Sequence, residues 1–293
     1  MVATKAKSDI KRIGIISGVE RPDGGGIEGQ VSDFLETLGF TTSVGHLRDE
    51  GLKKRVGEKE FDLVIALGGD GTVLRVGHLC APLRIPLLAI NQGHFGFLIE
   101  VEPNDWQTLL PRLASGEYWF EERMLVHVEL WRDGKKSGEW EALNEAMVGR
   151  GRMARPVHLN AILDGHALTT YVADGLIIAT ATGSTAYALA VGGPILPPQL
   201  RNILLVPVAA HLSMDRAIVL DEGASIRVEF RRGEECVLSI DGQQSSELSI
   251  GDWVDARASE HNLRFLRFQE PNYFYRRLLT IMDNNPSAGS RNS

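Results

Sequence analysis

The stretch "LVIALGGDGTVLR", residues 63 to 75, decides the fold. Its first five residues, Leu63 to Leu67, are a short apolar run of the kind that forms a strand buried on both faces. Gly68, Gly69 and Gly71 then turn tightly around one carboxylate, Asp70, and "TVLRVGHLCA" continues as a helix. A buried strand that enters a helix through a glycine turn is half of a β-α-β unit, which predicts a parallel sheet.

The same grammar extends to both sides. "RIGIIS" (12 to 17) is another β-branched run bounded by turn residues. Val31, Phe34, Leu35 and Leu38 share one helical face, and Gly39 follows as a stop. "TTSVGHL" and "IPLLAI" (85 to 90) read as further strands, and Trp106, Leu109, Leu110 and Leu113 repeat the helical spacing. Strand and helix alternate to about residue 115, as in a parallel sheet with helices on its faces.

Near residue 120 the period changes from 3.6 to two. "MLVHVELWRDGKKSGEWEALNEAMV" alternates apolar and polar positions about a "DGKKSG" turn, and "VHLNAILDGHALTTYV" does so about Asp164-Gly165. "ASIRVEF", "CVLSIDG" and "WVDARA" extend the pattern to about residue 268. The expected fold is an α/β N-terminal domain with a parallel sheet (1–118) and a β-rich, mostly antiparallel C-terminal domain (119–270). A last helical stripe, Tyr275, Leu278, Leu279 and Met282, predicts a helix over about 271–283 that packs back on the first domain. The polar stretch 284–293 is expected to be a disordered tail.

Bulk properties narrow the function. A chain of 293 residues is comfortable for two domains. It is 43% hydrophobic and 24% charged, with no apolar run near the ~20 residues that span a bilayer, which excludes a membrane-spanning protein. The N-terminal "MVATKAKSDIKR" is basic and polar, unlike a signal peptide, so a cytoplasmic location is expected. Cys80 and Cys236 are the two cysteines, read as reduced and buried rather than as a disulfide or a zinc site. A net charge of −7 argues against a nucleic-acid partner but leaves room for a phosphorylated ligand in a local site.

A glycine turn at the end of a parallel strand offers bare backbone N–H groups and a helix N-terminus, both suited to phosphate. Asp70 on such a turn can take a proton from an attacking hydroxyl or help hold Mg²⁺ against the phosphates, which is phosphoryl-transfer chemistry. Its bland alternative is a helix cap. "GGGIEG" (24 to 29), with Asp49 downstream, fits a dinucleotide fingerprint, but "GVERPD" separates it from the strand end and argues against a dehydrogenase. No G-x-x-x-x-G-K-[ST] loop occurs, which excludes a P-loop enzyme. "DGLIIATATGSTAYALAVGGPILPP" (174 to 198) is a run of small and hydroxylated residues that lets a ligand lie against the backbone, with Tyr187 able to cover a base. Tight packing between domains would also select such residues. Asn144 and Glu145 in "LNEAMV" suit an adenine edge and ribose hydroxyls. The eight histidines form no spaced metal motif, and His78, His94 and His211 receive no role.

Four segments together resemble the NAD kinase family: "GGDGT" (68–72), "NQGHFGFL" (91–98), "NE" (144–145) and "DGLIIATATGSTAYALAVGGPI" (174–195). "GGDGT" alone also occurs in phosphofructokinases and in lipid kinases of the diacylglycerol kinase type, whereas "TGSTAY…GGPI" with "NE" is far more specific. The resemblance implies an active site between the two domains and transfer of the terminal phosphate of ATP, or of polyphosphate, to the 2′-hydroxyl of the adenosine ribose of NAD. Carried over by position, it makes Asp70 the general base and Gly71 a backbone contact to the dinucleotide. Arg75 would face phosphate. Asn144 and Glu145 become ribose and adenine contacts, and Asp174 lies near the nicotinamide end. Thr182, Gly183, Ser184, Thr185, Ala186 and Tyr187 form the dinucleotide cradle, with Arg155 and Gln243 near the ligand. It further implies Mg²⁺ or another divalent cation carried mainly by the nucleotide phosphates, and assembly as a homodimer or homotetramer. A lipid kinase would need an amphipathic or basic docking surface, and a non-catalytic NAD sensor would need no acid on the glycine turn.

Overall fold

A computed structural model describes residues 9–18, 26–93, 96–151, 155–211 and 214–283. The tail 284–293, His94 and most of the "VERPDGGG" segment lie outside the described residues. The chain divides into two compact units, the first made of Met1–Glu122 with Leu263–Ser293 and the second of Arg123–Asn262.

The first unit opens with β1 (Arg12–Ser17), α1 (Ile27–Thr37), β2 (Thr41–His46), α2 (Glu50–Gly57), β3 (Leu63–Leu67), α3 (Asp70–Cys80) and β4 (Leu87–Ile90). The strands lie in the order β2-β1-β3-β4, and every pair is parallel, with Ile15 opposite Ile65 and Ile65 opposite Leu88. All five residues of β3 are buried, which is the expected consequence of helices covering both faces of a parallel sheet. Asp49, the acid twenty residues beyond the glycine cluster, caps α2 by accepting from the Leu52 amide, so it serves the helix rather than a ribose. The helical spacing at 106–113 yields two short helices, α4 (Trp106–Leu109) and α5 (Pro111–Ser115). Pro111 explains the break: it cannot donate to the preceding turn, and it begins α5 instead.

The second unit contains most of β5 (Trp119–Arg132), then β6 (Lys135–Ala142), β7 (Glu145–Arg150), β8 (Val157–Leu163), β9 (His166–Ala173), β10 (Gly175–Thr180), the short α6 (Tyr187–Ala190), β11 (Asn202–Val208), β12 (Ile218–Asp221), β13 (Ser225–Arg232), β14 (Cys236–Ile240), β15 (Gln244–Leu248) and the larger part of β16 (Trp253–Arg267). The β5–β6 turn narrows to Asp133-Gly134 and the β8–β9 turn is Asp164-Gly165, all four residues at positive φ, the geometry of a two-residue hairpin. One sheet has the antiparallel order β12-β11-β10-β7-β14-β15. A buried core that includes Val148, Leu159, Ile178, Val228 and Leu238 joins its inner face to strands β8, β13 and β16. The C-terminal end of β16 belongs to the first unit, where Phe265 pairs in parallel with Leu87 of β4.

The last helix, α7 (Tyr273–Asp283), belongs to the first unit. It differs from its sequence stripe: Tyr273 and Phe274 are buried, while Tyr275 and Leu279 are exposed. No helix among the described residues is long and apolar enough to cross a membrane.

Candidate active site

In the first unit the site grows from the end of β3. The N-cap of α3 is Gly69, without a side-chain cap bond, and Asp70 is already the first helical residue. Asp70 is therefore not the cap that its residue type suggested. Its carboxylate instead accepts from two backbone amides of the loop after β4: Oδ2 from Phe97 at 2.8 Å and Oδ1 from Leu98 at 3.1 Å. Gly96 makes this grip possible, because a Cβ there would stand 2.0 Å from Asp70 Oδ1. Burial pushes the Asp70 carboxyl above its ordinary value, against the opposing pull of the Leu98 and Phe97 amides and of the Arg277 and Arg267 charges. Gly71 is exposed one residue on, and Arg75, also exposed, donates from Nε to the Gly71 carbonyl at 3.1 Å. The structure thus brings Asp70, Gly71 and Arg75 to one end of one helix.

The loop that grips Asp70 is itself held from the C-terminal part of the chain. Arg267 is fully buried and donates from Nη1 to the Leu98 carbonyl and to Glu100 Oε2, both at 3.2 Å, and from Nε to Glu121 Oε2 at 2.9 Å. The Tyr273 hydroxyl donates to the same Glu121 oxygen at 2.9 Å. Burial works to lower the Arg267 pKa, but Tyr273, Glu121 and Glu100 outweigh it and keep the guanidinium charged. Arg277 of α7 donates from Nε to the Gly96 carbonyl at 2.8 Å and from Nη2 to Glu102 Oε1 at 3.2 Å.

In the second unit β7 lies between β10 and β14, so the start of β7 and the ends of its two neighbours meet. Asn144 and Glu145 open β7. Their amides, with that of Leu143, all donate to the Asp241 carboxylate at the end of β14, at 2.8 to 2.9 Å. Thr180 ends β10, donates to the Leu143 carbonyl at 2.6 Å and accepts from the Gly183 amide at 3.0 Å. Gly183 packs on the Asn144 backbone so closely that a Cβ would stand 2.0 Å from the Asn144 carbonyl oxygen. Ser184 turns back to the Ala181 carbonyl and Thr185 to that of Thr182. Ala186 leads into α6, whose first residue, Tyr187, is exposed. The buried Arg123 reaches Thr182 Oγ1 at 3.1 Å.

Glu145 is 8% exposed, and its Oε2 has no hydrogen-bond partner among the described residues. Burial and the neighbouring Asp241 charge push its carboxyl up to about 8, with the Tyr187 amide pulling the other way. A buried acceptor without a donor costs free energy, which a ligand hydroxyl or amine would return. Of the remaining predicted residues, Gln243 is at this end of the sheet, while Asp174 and Arg155 are at its other end, where Arg150 of β7 pairs with Cys236 of β14. Asp174 is ion-paired with Arg150 at 3.0 Å, the exposed Arg155 is paired with Glu234, and Gln243 is exposed in the β14–β15 turn. Sequence reading missed Asp241, although a signal existed: Asp-Gly at the end of the "CVLSI" run marks a turn, and Asp241 adopts φ +48 there. It also missed Arg123, Arg267 and Arg277, for which no local signal exists.

The profile of the ATP-NAD kinase N-terminal domain matches residues 31–118, and that of the ATP-NAD kinase C-terminal domain matches residues 143–268. An NAD kinase of Chloroflexus aggregans is 44% identical over 250 residues, 85% of this chain and 90% of that protein. An NAD kinase of Dehalococcoides mccartyi is 35% identical over 284 residues, 96% of this chain and 99% of that protein. The fold resembles the crystal structure of yeast NADH kinase complexed with NADH, with a TM-score of 0.80 at 22% identity, over 94% of this chain and 88% of that one. It also resembles an NAD kinase from Archaeoglobus fulgidus in complex with ATP, with a TM-score of 0.73 at 24% identity, over 92% and 97% of the two chains.

Proposed function

The chain belongs to the NAD kinase family, and from that premise we propose that Asp70 is the general base for the 2′-hydroxyl of the adenosine ribose while the Asn144–Glu145 turn and residues 182–187 hold the dinucleotide. The reaction is phosphorylation of NAD to NADP by ATP. Phosphoryl transfer passes through a loose transition state, so alignment and charge neutralisation do most of the work. The observation that carries the role of Asp70 is its engagement: two amides fix the carboxylate, and its raised pKa makes it a stronger base than an exposed aspartate. Arg75 and the Gly71 amide face the phosphates. The orphan Oε2 of Glu145 accepts from a hydroxyl or amine of the adenosine, Asn144 reads the same end, and Tyr187 covers a ring. Asp174 contacts the nicotinamide end, and Arg155 and Gln243 lie at the margin of the ligand.

A divalent cation would arrive on the ATP phosphates. Among the described residues, His127, Glu129 and Glu139 are the group spaced to hold a metal, and none of them is a site residue. Carried there, Mg²⁺ would screen negative charge against the incoming hydroxyl. A cytoplasmic location and assembly as a homodimer or homotetramer belong to the same reading and are supported by the family alone. The test separates binding from chemistry. Asp70→Asn should bind NAD with near wild-type affinity in calorimetry and lose turnover, whereas Asn144→Ala should lose affinity. Loss of NAD binding in Asp70→Asn with turnover otherwise intact would remove the base from the scheme.

A further inference from the structure

We propose that Arg277, on α7, is a positioning residue for Asp70, acting through the single peptide group that joins Gly96 to Phe97. This rests on Asp70 being the catalytic carboxylate. The oxygen end of that peptide group, the Gly96 carbonyl, accepts from Arg277 Nε at 2.8 Å. Its hydrogen end, the Phe97 amide, donates to Asp70 Oδ2, also at 2.8 Å. A guanidinium on the carbonyl polarises the peptide and makes its N–H a better donor, so the two bonds strengthen each other. The peptide cannot rotate without breaking both.

The surroundings favour a fixed geometry. Arg277 is only 11% exposed and is steadied by Glu102 Oε1 at 3.2 Å, while Glu102 Oε2 accepts from Asn91 Nδ2 at 2.9 Å. Asn91 in turn accepts from the Gly93 amide at 3.0 Å, so the same chain of contacts ties down the start of the loop. Gly96 lies against Asp70 with no room for a side chain, so any shift of the Gly96 carbonyl is passed to the carboxylate. Arg267, neutralised by Glu100 and Glu121, is the other cation acting on Asp70, and Arg75 on the aspartate's own helix is turned to the Gly71 carbonyl. Arg277 is thus a charge placed one peptide away from the base, on an element more than two hundred residues downstream of it.

The experiment compares Arg277→Met and Arg277→Lys with wild type in steady-state NADP formation across pH. Misplacement of a reacting group by ~1 Å costs up to about a hundredfold, so Arg277→Met is expected to lower kcat about ten- to a hundredfold, with KM for NAD and ATP within about twofold. Its acidic limb should move to higher pH, because Asp70 loses a charge that favours its ionised form. Arg277→Lys should return the limb toward wild type while restoring kcat only in part, since an ammonium keeps the charge and loses the planar fork. The double variant Asp70→Asn/Arg277→Met should be no slower than Asp70→Asn. Unchanged kcat and pH profile in a folded Arg277→Met, additive losses in the double variant, or a raised KM at constant kcat would each overturn the proposal. If Arg277→Met does not fold, Glu102→Gln, which removes the charge that steadies the guanidinium and loosens the bond from Asn91, must show a smaller change of the same kind. Failure of Asp70→Asn to slow the enzyme would sink the underlying reading instead.

Discussion

In the proposed reaction Asp70 serves the transfer and Glu145 the binding of the dinucleotide, and the environments of the two acids differ in kind. Asp70 is fixed by two amides and compensated by two arginines, so it can ionise and act as a base. Glu145 has an unpartnered oxygen and a carboxylate neighbour in Asp241, so without ligand it keeps its proton to about pH 8. Its folded-state pKa lies above the ordinary 4.5, so the stability it contributes is fully present below that value and is lost as pH rises through about 8. Glu145→Gln mimics the protonated form. In thermal unfolding of the ligand-free protein it should melt higher than wild type at pH 9 and alongside it near pH 4.5, and an equal difference at both pH values would contradict the assignment.

At the scale of elements, function sits where strands end. The strand–turn–helix at 63–80 was legible because everything that makes it is local: a buried apolar run, glycines for the turn and a helical stripe. The grip on Asp70 was not, because the amides come from residues 97 and 98, far along the chain, and nothing about Phe97 or Leu98 as residue types marks them. The same contrast holds in the second unit, where "TGSTAY" announces a cradle but not that Gly183 lies against the Asn144 backbone. Gly183→Ala is expected to push the Asn144 turn aside at an overpacking cost of about 1–3 kcal/mol, which, if taken from binding, converts to about five- to 150-fold in NAD affinity. Calorimetric titration with NAD checks this, and unchanged affinity in the folded variant would show that the turn yields without cost. The α7 stripe misled for a related reason. Periodicity favoured Tyr275 and Leu279, but Tyr273 is buried because its hydroxyl bonds Glu121, a partner 152 residues away that no local pattern reveals.

Over the whole molecule, the first unit is closed by residues from both ends of the sequence. Arg267 joins Leu98, Glu100 and Glu121, and Tyr273 completes the set, so the C-terminal segment braces the loop that holds Asp70. Removing the guanidinium leaves two buried carboxylates uncompensated, which costs about 3–5 kcal/mol. Arg267→Met should therefore lower the midpoint of denaturant unfolding by that equivalent at unchanged slope, and a loss under ~1 kcal/mol would mean that the carboxylates find other partners. In the proposed reaction Asp70 is the base that receives the ribose proton. Single-turnover formation of NADP, with enzyme in excess over NAD at saturating ATP and Mg²⁺, isolates that step from product release. Asp70→Asn should slow it by about 10²–10⁴-fold with NAD affinity preserved. A rate within a few fold of wild type would contradict that role for Asp70.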